Sequence, residues 1–301
     1  MVVLLFIYSA YSLNILSDVT LPGYSQESNA GASVTIRKTL RDTALIPPSA
    51  RKEVAASRTK NGLEFVFPFG SKYVVSEGKV ITIVSNRDAD PRLEILALQG
   101  VIFAALMSQR GMMVLHASAI ELGGKGIVVI GDKGQGKTTL GLKLLSSGGR
   151  LLSDDVTALS FEQGRAMIHP GPPVIKAWPD ALGYVGVDPH CCPKLFDETD
   201  KRLYCVPDSQ TSATPVELSR LFFLQDAEVM RLRKMGGPEK MMYLGASVYL
   251  SRFQDLRSEE EIGRDFDFSA LLAQRCNAYM IERPHRLDFL EETCREILNS
   301  C

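Results

Sequence analysis

The chain lacks most of the features that mark a special class of protein. It has no excess of either charge: 34 Lys and Arg stand against 35 Asp and Glu, a net charge of −1. That balance gives no general affinity for polyanions, so nucleic acid is not expected as a main partner. The local cluster Arg231-Leu232-Arg233-Lys234 reads as a solvated strand or turn face. There is no disulfide or zinc framework. The 6 cysteines follow no regular spacing, and the adjacent pair Cys191-Cys192, although near His190 and Cys205, does not match common zinc sites. Reduced thiols and a cytoplasmic location are expected. The apolar run at the start is not read as a signal peptide either. Met1–Tyr8 is hydrophobic but has no basic leader, and Tyr11 and Asn14 soon interrupt it. It is too short to cross a bilayer, so a first buried strand is expected and a membrane partner is not. Repeats and low-complexity tracts are missing too.

What remains is ordinary globular composition, 45% hydrophobic and 23% charged, in which one stretch stands out. Gly131-Asp132-Lys133-Gly134-Gln135-Gly136-Lys137-Thr138 fits the phosphate-loop (Walker A) spacing G-x-x-x-x-G-K-[ST]. It follows the apolar run Ile127–Ile130 and precedes Thr139–Leu145, the order strand, glycine loop, helix. Glycines let successive backbone N–H groups turn toward phosphate oxygens, and the helix N-terminus adds its positive dipole end. Lys137 is placed to reach the terminal phosphates, and the Thr138 hydroxyl to bind Mg²⁺. Residues 131 to 139 are therefore the candidate nucleotide-binding set.

Around this loop the chain divides into a small β-rich or α+β region, residues 1–90, and a larger domain, 91–301. In the first, Ser9–Asp18 and Ser33–Arg37 read as strands, followed by Gly62–Phe67, Lys72–Val75 and the alternating Lys79–Val84. Residues 38–61 read as a loop or weak helix. Arg92–Gln109 has helical periodicity and stops at Arg110-Gly111. Met112–Ile120 reads as a strand, with Gly123-Gly124 as a hairpin turn into the loop strand. Arg150–Val156 reads as the next strand. Residues 187–215 show little periodicity and are expected to be a mobile lid or substrate loop. Leu221–Leu224 and Glu228–Leu232 read as strands, Pro238–Phe253 and Phe268–Cys276 as helices, Ala278–Ile281 as a strand and His285–Leu298 as a closing helix.

Asp154-Asp155 ends the strand after the loop helix, which places both carboxylates near the phosphates at the edge of the sheet. Two tasks there need a carboxylate: holding Mg²⁺ through hard oxygen ligands, and taking the proton of an attacking hydroxyl or water. Because strand neighbours face opposite ways, the pair is expected to divide these tasks. His116 closes the strand beside the loop strand. It is either a satisfied core histidine or a partner that orients Asp154.

Together, His116-Ala117-Ser118-Ala119, the loop 131–138 and Leu151-Leu152-Ser153-Asp154-Asp155 resemble the catalytic domain of bacterial HPr kinase/phosphorylase. The intervals between His116, Lys137 and Asp154 agree with that family's. The resemblance is closest to the HPr-kinase-like proteins of lasso-peptide gene clusters, kinases of a precursor peptide's C-terminal serine. Its specific motifs span about residues 112 to 156. It implies a phosphoenolpyruvate-carboxykinase-like P-loop fold, α/β (α+β overall) with a mixed sheet. It also implies ATP and Mg²⁺ as cofactors, a peptide or protein with an acceptor serine as partner, and a homo-oligomer. Asp154 would be the general base, supported by His116. Lys137 would serve the β/γ-phosphates, and Thr138 and Asp155 the metal. One departure stands out: Gly171–Trp178 lacks the acidic residue of the family's later signature. Lys176, Lys201 and Arg202 are the cations expected to contact phosphate or an acidic peptide terminus instead. Other expectations are a small-molecule kinase on the same scaffold and a non-catalytic nucleotide-binding module.

Overall fold

The computed structural model describes residues 5–24, 31–41 and 53–300. The expected opening strand is thus seen from residue 5 onward, and residues 42–52 of the expected loop or weak helix lie outside the described residues. The first seven strands are β1 Phe6–Ala10, β2 Leu13–Ser17, β3 Val34–Arg41, β4 Ala55–Thr59, β5 Gly62–Val66, β6 Lys72–Ser76 and β7 Val80–Asn86. They form a mixed sheet in the order β1-β2-β3-β7-β6-β5-β4. In β5, β6 and β7 every second residue is buried, the signature of a sheet with one covered face. The covering element is the helical segment 91–109, which starts on an Asp90 cap and runs through a π-helical turn at Leu98–Ile102. Its Leu98, Ile102 and Phe103 are buried with Ile15, Ile36, Phe65 and Ile81 of the sheet, and with Val156 and Ala158 of the next one. Pro91–Gln109 is long and apolar enough to cross a membrane by length and composition, but 72% of its apolar window is buried inside the fold. Its apolar surface is covered by the two sheets.

The second sheet has 8 strands and surrounds the phosphate loop. They are β8 Met113–Leu122, β9 Lys125–Ile130, β10 Arg150–Ser153, β11 Val156–Glu162 and β12 Arg165–His169, then, after the separate pair β13 Val174–Ala177 and β14 Arg202–Cys205, β15 Val216–Asp226, β16 Arg231–Lys234 and β17 Asn277–Arg283. β9 lies between β8, its antiparallel hairpin partner, and β15, which runs parallel to both β9 and β17. The expected hairpin at Gly123-Gly124 is present, with φ of 56° and 80° at the two glycines. β9 alternates between two cores. Ile127 and Val129 face the helices Lys137–Ser146 and Leu290–Ser300, whereas Val128 and Ile130 face Gly237–Ser247 and Glu259–Arg275. A strand covered on both faces needs the continuous apolar run that Ile127–Ile130 supplies. The architecture is α/β with mixed sheets, as expected.

Five expectations are corrected. Within the expected loop or weak helix 38–61, residues 38–41 continue β3 and 55–59 form β4, each paired with a neighbouring strand. Ser9–Asp18 is a hairpin, not one strand: Tyr11 and Ser12 turn the chain at φ of 55° and 61°. Neither residue is the Gly or Asn that usually marks such a turn. Arg150–Val156 is two strands, split at the Asp pair. Residues 187–215 are not a bare loop, because β14 lies among them and pairs with β13. The helix expected at Phe268–Cys276 begins at Glu259, where Ser258 and Glu261 form a reciprocal capping box. The other two C-terminal helices are displaced by a few residues: one ends at Ser247 and the last begins at Leu290.

Candidate functional site

The site lies where β9 enters its glycine loop. Gly134 and Gly136 take φ of 96° and 84°, which L-side chains rarely adopt. Gly136 is the helix N-cap and makes no side-chain cap, so the first-turn N–H groups remain free of one. The loop closes on itself. The Gln135 side chain accepts from the Asp132 N–H at 2.6 Å, and Lys137 Nζ donates to the carbonyls of Gly131 and Asp132 at 2.6 and 3.1 Å. Burial lowers the proton affinity of Lys137, while Asp154, Asp155 and Asp132 oppose the shift. Asp132, Lys133 and Gly134 are exposed at the loop tip, and Thr138 and Thr139 stand half-buried in the first helical turn. This is a helix N-terminus with a buried lysine beside it, an arrangement suited to a phosphate chain.

The Asp pair sits in a break between two strands that share one partner. β10 and β11 both pair with β8, Ser153 opposite Ala119 and Val156 opposite His116, so the register is unchanged across the gap. Between them the Val156 N–H donates to the Asp154 carbonyl at 2.9 Å, with Asp155 at φ 72°. That is a γ-turn of the strained positive-φ kind, and strain of this sort is held only where surrounding contacts fix it. Thr157 Oγ1 donates to the Ala117 carbonyl at 3.1 Å and meets Ser153 Oγ at 2.9 Å, replacing ladder bonds the turn removes. The two carboxylates are therefore separated by a turn and not by strand alternation.

Their partners are the reverse of those the resemblance implies. Thr138 Oγ1 lies 3.2 and 3.3 Å from the carboxylate oxygens of Asp154, so Thr138 and Asp155 are not brought together as a metal pair. His116 Nδ1 lies 3.1 Å from Asp155 Oδ1, so it supports Asp155 and not Asp154. The cause is register: Val156 opposite His116 puts the adjacent Asp155, not Asp154, beside the ring. Lys176, at the edge of β13, donates to Asp155 Oδ2 at 2.8 Å and completes a clamp. The electrostatic consequences diverge. Burial first, then the charge of Asp155, raises the Asp154 carboxyl above the usual carboxylate range, although Lys176 and bonds from Ser118 and Thr138 oppose this. For Asp155 burial also pushes upward, but Lys176 and His116 outweigh it and hold the carboxyl far below that range. One carboxylate retains appetite for a proton and its neighbour has almost none.

Other side chains close the site, and no local pattern in the sequence marks them. Tyr249 packs edge-on to His116 with ring centroids 5.5 Å apart. A Cβ at Gly100, in the π-helical turn, would lie 3.3 Å from the Tyr249 hydroxyl and 4.0 Å from Asp155 Oδ2. Tyr11, fully buried at the β1–β2 turn, donates to the Val156 carbonyl at 3.4 Å and, through its N–H, to the Pro170 carbonyl at 2.6 Å. Gly141 allows the loop helix to approach β8, since a Cβ there would stand 2.9 Å from Ser118 Oγ. Of the remaining expected cations, Lys201 lies over the Trp178 ring at 5.4 Å and within electrostatic reach of Lys137. Arg202 instead turns to the Cys192 carbonyl at 3.5 Å and takes no part in the cluster.

A magnesium ion fits this donor set. Thr138 offers a hard hydroxyl oxygen at the head of the helix, beside the phosphate loop, while among the described residues no group of three or more His, Cys, Asp or Glu side chains forms a cage. Mg²⁺ typically takes few protein ligands and keeps waters and phosphate oxygens for the rest.

No family model matches the chain. Over 59 residues it is 37% identical to the HPr kinase/phosphorylase of two strains of Treponema pallidum, one of them strain Nichols. That match covers 20% of this chain and 18% of the relatives, so the chain spans about a fifth of the length of the curated relatives it matches. Among solved structures, the Hpr(Ser) kinase/phosphatase from Coxiella burnetii superposes on 62% of this chain and 95% of its own, with 14% identity and a TM-score of 0.33. The local sequence similarity is to HPr kinase/phosphorylase, and the mixed-sheet α/β fold follows from this chain's own strand pairing.

Proposed function

We propose that the chain is an ATP-dependent kinase that transfers the γ-phosphoryl group to a serine hydroxyl of a peptide or protein in the cytoplasm. The observation that carries this reading is the division of labour in the Asp pair. Asp154 stands against the phosphate-loop Thr138 with raised proton affinity, and Asp155 is fixed in its ionised form by Lys176 and His116. A general base needs a pKa lifted toward the working pH, and only Asp154 keeps such a lift, because Lys176 and His116 outweigh burial at Asp155. The acceptor oxygen bonds to the γ-phosphorus, its proton passes to Asp154, and the bond to the β-phosphate oxygen breaks to release ADP. Lys137 and the loop N–H groups hold the phosphates, and positioning with charge stabilisation supplies most of the rate enhancement. Thr138 would leave Asp154 to hold Mg²⁺, which when bound neutralises phosphate charge. Asp155 keeps Lys176 and His116 in place at the acceptor side, and Lys201 with Trp178 extends that side outward.

The acceptor we propose is the C-terminal serine of a lasso-peptide precursor, a reading supported by the residues shared with that group of kinases. Incubation with ATP, Mg²⁺ and a synthetic peptide ending in serine tests it by mass spectrometry. Gain of one phosphoryl mass, lost in Asp154→Asn, is expected. Phosphorylation of small alcohols alone would move the reading to a small-molecule kinase. ATP binding without transfer to any acceptor would move it to a regulatory module.

A further inference from the structure

The parallel strands β9, β15 and β17 end along one edge of the sheet, and the last residue of β17 is Arg283. It is 4% exposed. Its Nη2 donates to the Gln135 carbonyl at 3.1 Å and its Nη1 to the Pro284 carbonyl at 3.4 Å, while Nε is buried with no partner among the described residues. Among the described residues no acid balances it closely. Glu282 faces Arg231 and Arg233. Asp226, across the β15–β17 pair, is exposed. Burial lowers the proton affinity of Arg283, and Asp226 only opposes this. A buried guanidinium with an unmet donor and no paired carboxylate is strongly unfavourable unless something else supplies negative charge.

The loop has made room for it. A Cβ at Gly136 would stand 2.8 Å from Arg283 Nη2 and 3.9 Å from His285 Nε2, so glycine there serves a close approach as well as a positive φ. The Gln135 carbonyl that Arg283 holds belongs to the same peptide unit as the Gly136 N–H. Because a trans peptide is planar, fixing the carbonyl toward Arg283 sends that N–H the opposite way.

We propose that Arg283 is a positioning residue of the nucleotide site: it fixes the Gln135–Gly136 peptide of the phosphate loop, and the phosphates of bound nucleotide are the counter-charge that its buried guanidinium lacks. This rests on the phosphate-loop reading but not on any choice of acceptor. Calorimetry with ATP and with adenosine, on the full chain and its Arg283→Met and Arg283→Lys variants, tests it beside the ligand-free melting temperature. Arg283→Met is expected to bind ATP at least about tenfold more weakly, the scale of one charge-assisted contact. Adenosine binding is expected to be unchanged, and the ligand-free melting temperature to hold or rise, since an unbalanced charge has been removed. Arg283→Lys is expected to regain most of the ATP affinity. Unchanged ATP affinity in Arg283→Met, an equal loss for adenosine, or a Lys variant no better than Met would overturn the assignment. A wild-type chain that binds no ATP would end both this and the phosphate-loop reading.

Discussion

The phosphate loop and the carboxylate turn face each other across the site, yet they are built by different means. Gly131–Thr138 is almost wholly local. Its glycines supply the positive φ angles, Gln135 and Lys137 bond back to Gly131 and Asp132, and the helix begins within the same eight residues. The turn at Asp154-Asp155 is held from a distance, by His116 and Ser118 on β8, Lys176 on β13 and Tyr11 from the N-terminal sheet. A local device carries its chemistry in its spelling. A turn fixed from three other places does not, and two adjacent aspartates acquire opposite proton affinities from neighbours far away in the chain.

The largest effect expected on this contrast comes from Asp154→Asn, which removes the proton acceptor but leaves the loop intact. Transfer should fall by roughly 10²- to 10⁴-fold with ATP affinity retained, as single-turnover kinetics and calorimetry would show. A variant that transfers at the wild-type rate would take the base away from Asp154. Next is Lys176→Met, which opens the clamp on Asp155. Lys176 lowers the Asp154 pKa, so its loss should lift that pKa further and move the acidic limb of the rate profile to higher pH. A limb that stays in place would mean that Lys176 does not act on the base.

Smaller effects should appear where the two regions lean on the rest of the fold. Gly141→Ala gains helix propensity but places a Cβ 2.9 Å from Ser118 Oγ, a neighbour of Asp154. Overpacking at such a contact costs about 1 to 3 kcal/mol, so denaturant melts should show a net loss of stability; a gain would mean that the helix shifts freely. Ser12→Ala removes the bond of 2.9 Å to His169 Nδ1 that ties the β1–β2 turn to β12. About 1 kcal/mol of stability should be lost with little change in transfer. A large change in transfer would show that the N-terminal turn governs the carboxylates directly.

The same contrast sets what can be read in the sequence. The loop, its strand and helix, and the Gly123-Gly124 hairpin are legible because glycine positions and apolar alternation are local signals. His116 and the Asp pair are legible as residues but not as partners. Alternation along an unbroken strand divides two tasks between the pair and the resemblance assigns Asp155 to the metal, whereas the γ-turn and the Val156–His116 pairing turn it to His116 and Lys176. Tyr11-Ser12 escapes notice because the turn uses neither Gly nor Asn, and Arg283 because nothing local marks a strand end two strands away from the loop. The capping box at Ser258–Glu261 is written in the sequence, but the apolar residues further along the helix are the louder signal and draw its start too late.

The claim at the centre is that Asp154 alone of the pair is poised to take a proton. The most direct measurement is the pH dependence of single-turnover phosphoryl transfer from ATP to a peptide ending in serine. Asp154 must be ionised to act, and its carboxyl is raised by burial and by Asp155. The rate should therefore climb through an apparent pKa clearly above the ordinary aspartate value of about 4, and fall away below it. A rate already maximal just above that ordinary value, or the same rising limb in Asp154→Asn, would contradict it.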